Sequence, residues 1–138
     1  MAPKRETPPP RRVLEGVLVL VVEDHPASGR MVAAVLSAAG ADVKVVDTAE
    51  AAMPVLATFR PHALVVDVVL PGASGHALVQ LIKAQPTMRG IVCIAVSVLN
   101  GDDARREALR MGCAEYVKKP IDTDTFAALI AGHLGGKP

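Results

Sequence analysis

From residue 17 onward the chain alternates between apolar runs and amphipathic stretches. Val17 to Val22 is six consecutive aliphatic residues, mostly β-branched. A run apolar on both faces predicts a strand in a sheet covered on both sides. Residues 27–39 switch to helical spacing, with Met31, Val32, Val35, Leu36 and Ala39 on one face and Gly40 as the C-cap. Val43 to Val46 predicts a second strand. Thr48 can N-cap a helix over 49–58 with Ala51, Ala52, Val55 and Leu56 inward. Pro54 lacks a backbone donor and is expected to kink or shorten that helix. Ala63 to Val66 predicts the third strand, 71–75 a loop, and 75–84 a helix with Leu78, Leu81 and Ile82 inward. Ile91 to Val96 predicts the fourth strand, and 102–111 a helix closed by Gly112. Ala114 to Val117 predicts a short fifth strand stopped by Pro120. Residues 123–134 predict the last helix, with Phe126, Leu129, Ile130 and His133 inward.

Strand then helix, repeated with short connections, predicts an α/β fold: a five-stranded parallel sheet with helices on both faces. Right-handed crossovers leave few topologies, and the flavodoxin-like order 2-1-3-4-5 suits this length. Ligands of such sheets bind beyond the carboxyl ends of the strands, beside the point where strand order reverses. The polar residues fall there. Strand one closes in Glu23 and Asp24, strand three in Asp67, strand four in Ser97, and strand five runs out through Lys118 and Lys119. Carboxylates crowded together raise one another's pKa, and a hard divalent cation relieves the conflict. An oxygen-only donor set with few protein ligands suits Mg²⁺. A metal, an ammonium and a hydroxyl around one carboxylate make a phosphoryl-transfer site, with the carboxylate as nucleophile forming an acyl phosphate.

Composition narrows the alternatives. The 138 residues suffice for one domain and not two. Aromatic residues are only 2% of the chain, so the core is aliphatic and no platform exists for stacking bases. Residues 1–14 carry Lys4, Arg5, Arg11 and Arg12 against Glu6, a net +3, while the rest has 11 basic and 13 acidic side chains, a net −2. A mildly acidic body is a poor match to nucleic acid, so no direct nucleic-acid binding is expected. The start is basic and then proline-rich (Pro8, Pro9, Pro10), without the apolar segment of a signal peptide, and no run approaches a membrane span. The expectation is a cytoplasmic protein with no membrane association, a flexible basic tail over residues 1–15 and one domain over 16–136. Cys93 and Cys113 cannot make a disulfide framework and are expected as buried thiols.

The segments VLVLVVEDHP, LVVDVVLPGASG, IVCIAVSV and GCAEYVKKPID together resemble the receiver domain of bacterial response regulators in two-component signalling. The resemblance covers roughly residues 17–134, and GDDARREALRMGCAEYVKKPI is similar to stand-alone cell-cycle receivers. It implies Asp67 as the phosphoacceptor, receiving a phosphoryl group from a sensor histidine kinase or a histidine phosphotransfer protein. It implies Mg²⁺ held by Glu23, Asp24, Asp67 and the backbone carbonyl of Val69, with Asp24 the more direct ligand of the acidic pair. Ser97 takes the place of the switch hydroxyl, often Thr in the family. Lys119, before Pro120, is the phosphate-contacting lysine, and Lys118 is a surface residue. Tyr116 is the aromatic switch residue, whose ring moves inward as Ser97 shifts toward the phosphoryl group. That movement would remodel the face of helix four, strand five and helix five, where a downstream protein binds. Catalysis is confined to the chain's own phosphorylation and dephosphorylation.

Three positions depart from the family pattern. Val98 stands where a small residue is usual and is expected to narrow access to Asp67. Val69 and Leu99 stand where many members orient hydrolytic water with polar groups, so the phosphoryl group should be lost slowly. Only GGKP follows the last helix, so action through protein contacts or as a phosphorelay shuttle is expected. The alternative is a receiver-like interaction module that works without phosphorylation. A metal-dependent phosphatase is disfavoured, because its second acid would fall at Val69. Among the remaining polar residues, His25 is expected to begin a helix. His62, His76 and His133 lack metal-site spacing, and Arg105, Arg106 and Arg110 form a basic stripe that is either solvated or part of the output face.

Overall fold

Every apolar run predicted as a strand is one. The computed structural model describes residues 12–70, 72, 74–99 and 101–135. The elements alternate without exception: β1 (Leu18–Val22), α1 (Pro26–Ala38), β2 (Asp42–Val46), α2 (Ala49–Phe59), β3 (Ala63–Asp67), α3 (Gly75–Ala84), β4 (Val92–Ser97), α4 (Asp102–Met111), β5 (Glu115–Lys118) and α5 (Phe126–His133). The strands form one parallel sheet in the order β2-β1-β3-β4-β5. Val22 pairs with Val46 on one side and Val66 on the other, so β1 and β2 end level and β3 runs one residue further, to Asp67.

The unbroken apolar strands have a direct cause. Alternate residues point to opposite faces, and each face has its own core. Leu20, Val22, Leu64, Val66, Cys93 and Ala95 pack with residues of α2, α3 and α4, and with Tyr116. Val19, Val21, Val65, Ile94 and Val96 pack with Val32 and Leu36 of α1 and Phe126 and Ile130 of α5. Fully buried leucines such as Leu20 and Leu64 each stabilise the fold by about 2–5 kcal/mol over alanine. No helix of the described residues is long and apolar enough to cross a membrane.

Four expectations need correction. Leu81 is exposed, and Val79 is buried in its place: α3 docks through Gly75, Leu78, Val79 and Ile82. That stripe is an i, i+3, i+4, i+7 set counted from Gly75, and Leu78, Leu81 and Ile82 obey the same spacing counted from Leu78, so periodicity alone does not choose between the two phases. The last helix begins at Phe126, because 123–125 form a turn, and His133 faces outward. Pro54 does not shorten α2, which runs five residues beyond it; both Pro54 and Glu50, whose carbonyl loses a donor, lie on the exposed side. Finally, the tail boundary at residue 15 falls inside a packed turn. Leu14 is wholly buried, and its N–H donates to the Ala39 carbonyl at 2.9 Å. The rest of the expected tail (1–11), the last residue of the expected domain, and Pro71 and Ala73 of the expected loop lie outside the described residues.

Candidate functional site

The sheet ends its apolar runs at one edge and sets polar groups just beyond. Glu23 and Asp24 follow β1, Asp67 closes β3, Ser97 closes β4, and Lys119 follows β5. Asp67 lies in register with Val96, one residue before Ser97, and Ser97 lies in register with Lys118, one residue before Lys119. Parallel registers and the switch between β1 and β3 therefore bring residues almost a hundred positions apart into one pocket.

Lys119 is the hub. Its Nζ donates to Glu23 Oε1 at 2.7 Å and to Asp67 Oδ2 at 2.9 Å. The second oxygen of each carboxylate is held by backbone: Asp67 Oδ1 accepts from Val69 N–H at 2.9 Å, and Glu23 Oε2 from His25 N–H at 3.1 Å. Glu23, Asp67 and Ser97 are buried, whereas Asp24 opens to solvent. Burial pushes the Glu23 carboxyl above its ordinary pKa; the Lys119 and His25 hydrogen bonds pull it back in part, and the Asp67 charge adds to the rise. Burial alone would lower the Lys119 ammonium, but its hydrogen bonds to Glu23 and Asp67 outweigh that and raise it.

Oxygens of Glu23, Asp24 and Asp67 lie within 4.8 Å of one another. Three carboxylates against one ammonium leave two negative charges, which a divalent cation balances. All donors are oxygens, and Asp24 is open to water, as a partly hydrated Mg²⁺ requires. The donor set fits that ion. Among the described residues it is the one cluster of three or more metal-ligating side chains.

Next to this pocket Ser97 and Tyr116 meet the same residue, Leu99, each on a different one of its two backbone peptide groups. Ser97 Oγ accepts from Leu99 N–H at 3.1 Å, and the Tyr116 hydroxyl donates to the Leu99 carbonyl at 2.6 Å. The Tyr116 ring is buried, packed in the core with Ala108 and Cys113. Val98 points outward at 65% exposure, and Val69 and Leu99 are exposed as well. Val98, Met31, Lys119 and Ile121 share a cavity of about 240 Å³ beside the pocket.

Sequence reasoning missed the backbone roles of His25 and Leu99, and two glycines. A Cβ on Gly75 would lie 2.4 Å from the Asp67 carbonyl oxygen, so α3 can sit on the end of β3 only without a side chain there. A Cβ on Gly29 would lie 3.3 Å from Val45 and 3.7 Å from Glu23. Gly75 in PGASG was a usable signal; Gly29 and the two backbone roles left none. Apart from the His25 backbone N–H, the remaining candidates make contacts elsewhere. His25 is the N-cap of α1, His62 Nδ1 accepts from Leu18 N–H at 2.9 Å, and Lys118 is exposed. Arg106 and Arg110 pair with Asp103 and Glu107 on their own helix, and Arg105 pairs with Glu115. Both cysteines are free and buried, and burial raises their thiols to about 11 (Cys93) and about 12 (Cys113).

Comparison with known proteins agrees with this geometry. Residues 19–131 match the response regulator receiver domain. The chain is 35% identical over 120 residues to the response regulator protein FleR of Pseudomonas aeruginosa, covering 86% of this chain and 25% of FleR. It is 28% identical over 119 residues to the polar-differentiation response regulator DivK of Brucella anthropi, covering 85% of this chain and 95% of DivK. This chain thus spans about a quarter of FleR and nearly all of DivK. A crystal structure of a response regulator from Chloroflexus aurantiacus shares the fold at TM-score 0.82 and 24% identity, covering 86% of this chain and 98% of that one. The chain belongs to the response regulator receiver domain family.

Proposed function

We propose that the chain is a phospho-accepting switch that takes a phosphoryl group onto Asp67 from a phosphohistidine of a sensor histidine kinase or phosphotransfer protein. A carboxylate oxygen of Asp67 attacks phosphorus as the P–N bond to imidazole breaks, leaving an acyl phosphate. The observation that carries this reading is Lys119 Nζ at 2.9 Å from Asp67 and 2.7 Å from Glu23, within a cluster of three carboxylates. Lys119 exchanges its carboxylate contact for the incoming phosphoryl oxygens, and Ser97 rotates its hydroxyl to donate to one of them. Glu23, Asp24, Asp67 and the Val69 carbonyl would hold Mg²⁺. When bound, that ion offsets negative charge on the phosphoryl oxygens.

Withdrawal of the Ser97 hydroxyl from Leu99 N–H frees the backbone on one side of Leu99, whose carbonyl on the other side accepts from Tyr116. The signal then passes into α4, β5 and α5, the face that a downstream protein reads. The unit that does this comprises residues 16–136, extended back to Leu14, and it acts in the cytoplasm as a signalling domain. Intact mass after incubation with Mg²⁺ and acetyl phosphate tests the reading. One phosphoryl group should be gained, and none by Asp67→Asn or in the presence of a chelator. No gain by the wild type would favour a module that works without phosphorylation.

A further inference from the structure

α4 is weakly fixed to the body of the protein. Of its ten residues only Ala108 is fully buried, and Leu109 is exposed. Two of its three arginines pair with acids one turn away on the same helix, which holds them to α4 and to nothing else. Arg105 differs: it leaves the helix and reaches Glu115 Oε2 on β5 at 3.6 Å. The other oxygen of the same carboxylate, Oε1, lies 3.1 Å from His133 Nε2 on α5. A carboxylate only accepts, so the imidazole N–H donates.

The place of this triad matters. β5 is an edge strand, and α4 and α5 belong to the helical layers on opposite faces of the sheet. Glu115 thus stitches the two layers together around the open edge, one residue before Tyr116. Its side chain is only 23% exposed, so the contacts are less screened than those of an ion pair in open water.

The structure assigns Glu115 the part of a clasp: by tying Arg105 of α4 and His133 of α5 to β5, it holds the α4–β5–α5 face in its present arrangement and sets how readily that face rearranges. This rests on the switch reading above. Glu115 touches none of the groups around Asp67, so it acts as a positioning residue.

Two readouts test it on the full chain. Tyr116 is the only tyrosine and tryptophan is absent, so intrinsic fluorescence follows one side chain at the moving face. In a titration with beryllofluoride and Mg²⁺, Glu115→Gln should lower the midpoint about threefold, the size expected of one lost ion-pair network. Arg105→Gln should do the same, and the double variant should add little more. Independently of any phosphoryl mimic, hydrogen exchange of the α4 amides should quicken about threefold in Glu115→Gln while that of α3 stays unchanged. Unchanged α4 exchange, or a midpoint that does not move while the wild type responds, overturns the clasp. A wild type that does not respond to beryllofluoride overturns the switch reading instead, and the exchange measurement still decides whether Glu115 restrains α4.

Discussion

Lys119 holds two buried carboxylates that would otherwise repel each other, and Asp24 adds a third charge within reach. The pocket is therefore strained by charge until a cation arrives. Asp67→Asn removes one of the crowded charges and keeps the side chain's shape. Without Mg²⁺ it should be more stable than the wild type by about 1 kcal/mol, roughly 3 °C in melting temperature. Millimolar Mg²⁺ should close the gap, because only the wild type keeps the full donor set. A melting temperature that falls in Asp67→Asn would show that the Lys119 contact outweighs the crowding. The rim above the pocket is apolar: Val69 and Leu99 are exposed and offer no side-chain group to orient water. Val69→Asn should shorten the phosphorylated lifetime several-fold, followed by loss of the mass increment after donor removal. An equal or longer lifetime would contradict the role given to that position.

At the scale of elements, the site depends on how closely helices sit against strand ends. Gly75 begins α3 against the Asp67 carbonyl, where a Cβ would come within 2.4 Å. Gly75→Ala must push α3 or the end of β3 aside and should cost about 2 kcal/mol in urea denaturation. A loss well under 1 kcal/mol would mean that this junction yields easily. The strands and their polar closures were legible in the sequence because both obey local rules. An aliphatic run is a covered strand wherever it lies, and in a parallel sheet the residue that ends it lands at one edge. Helix faces were less legible. Val79 in place of Leu81, the outward His133 and the buried Leu14 depend on neighbours distant in sequence, and local periodicity does not encode them. The same holds for Glu115, which reads as an ordinary strand residue until Arg105 and His133 are in place.

For the molecule as a whole, two cores on one sheet leave the polar chemistry concentrated at a single edge. One of those cores contains both thiols, held protonated by burial to about 11 and about 12. The unfolded chain loses these protons from about pH 9, before the folded chain does. Stability is therefore untouched below pH 9 and declines as pH rises toward the folded values, by about 1.4 kcal/mol per pH unit for each thiol. Denaturation curves at pH 8 and pH 10 should show a smaller decline in a Cys93→Ala, Cys113→Ala variant; equal declines would mean that the thiols are not shielded. The most direct measurement concerns Asp67 itself. After treatment with acetyl phosphate and Mg²⁺, borohydride reduces an acyl phosphate to an alcohol, converting the modified aspartate to homoserine. Peptide mass spectrometry should find homoserine at Asp67 and at no other acidic residue. Homoserine at Asp24 or another aspartate, hydroxynorvaline at Glu23 or another glutamate, or no reduced residue at all, would contradict the assignment of Asp67 as the phosphoacceptor.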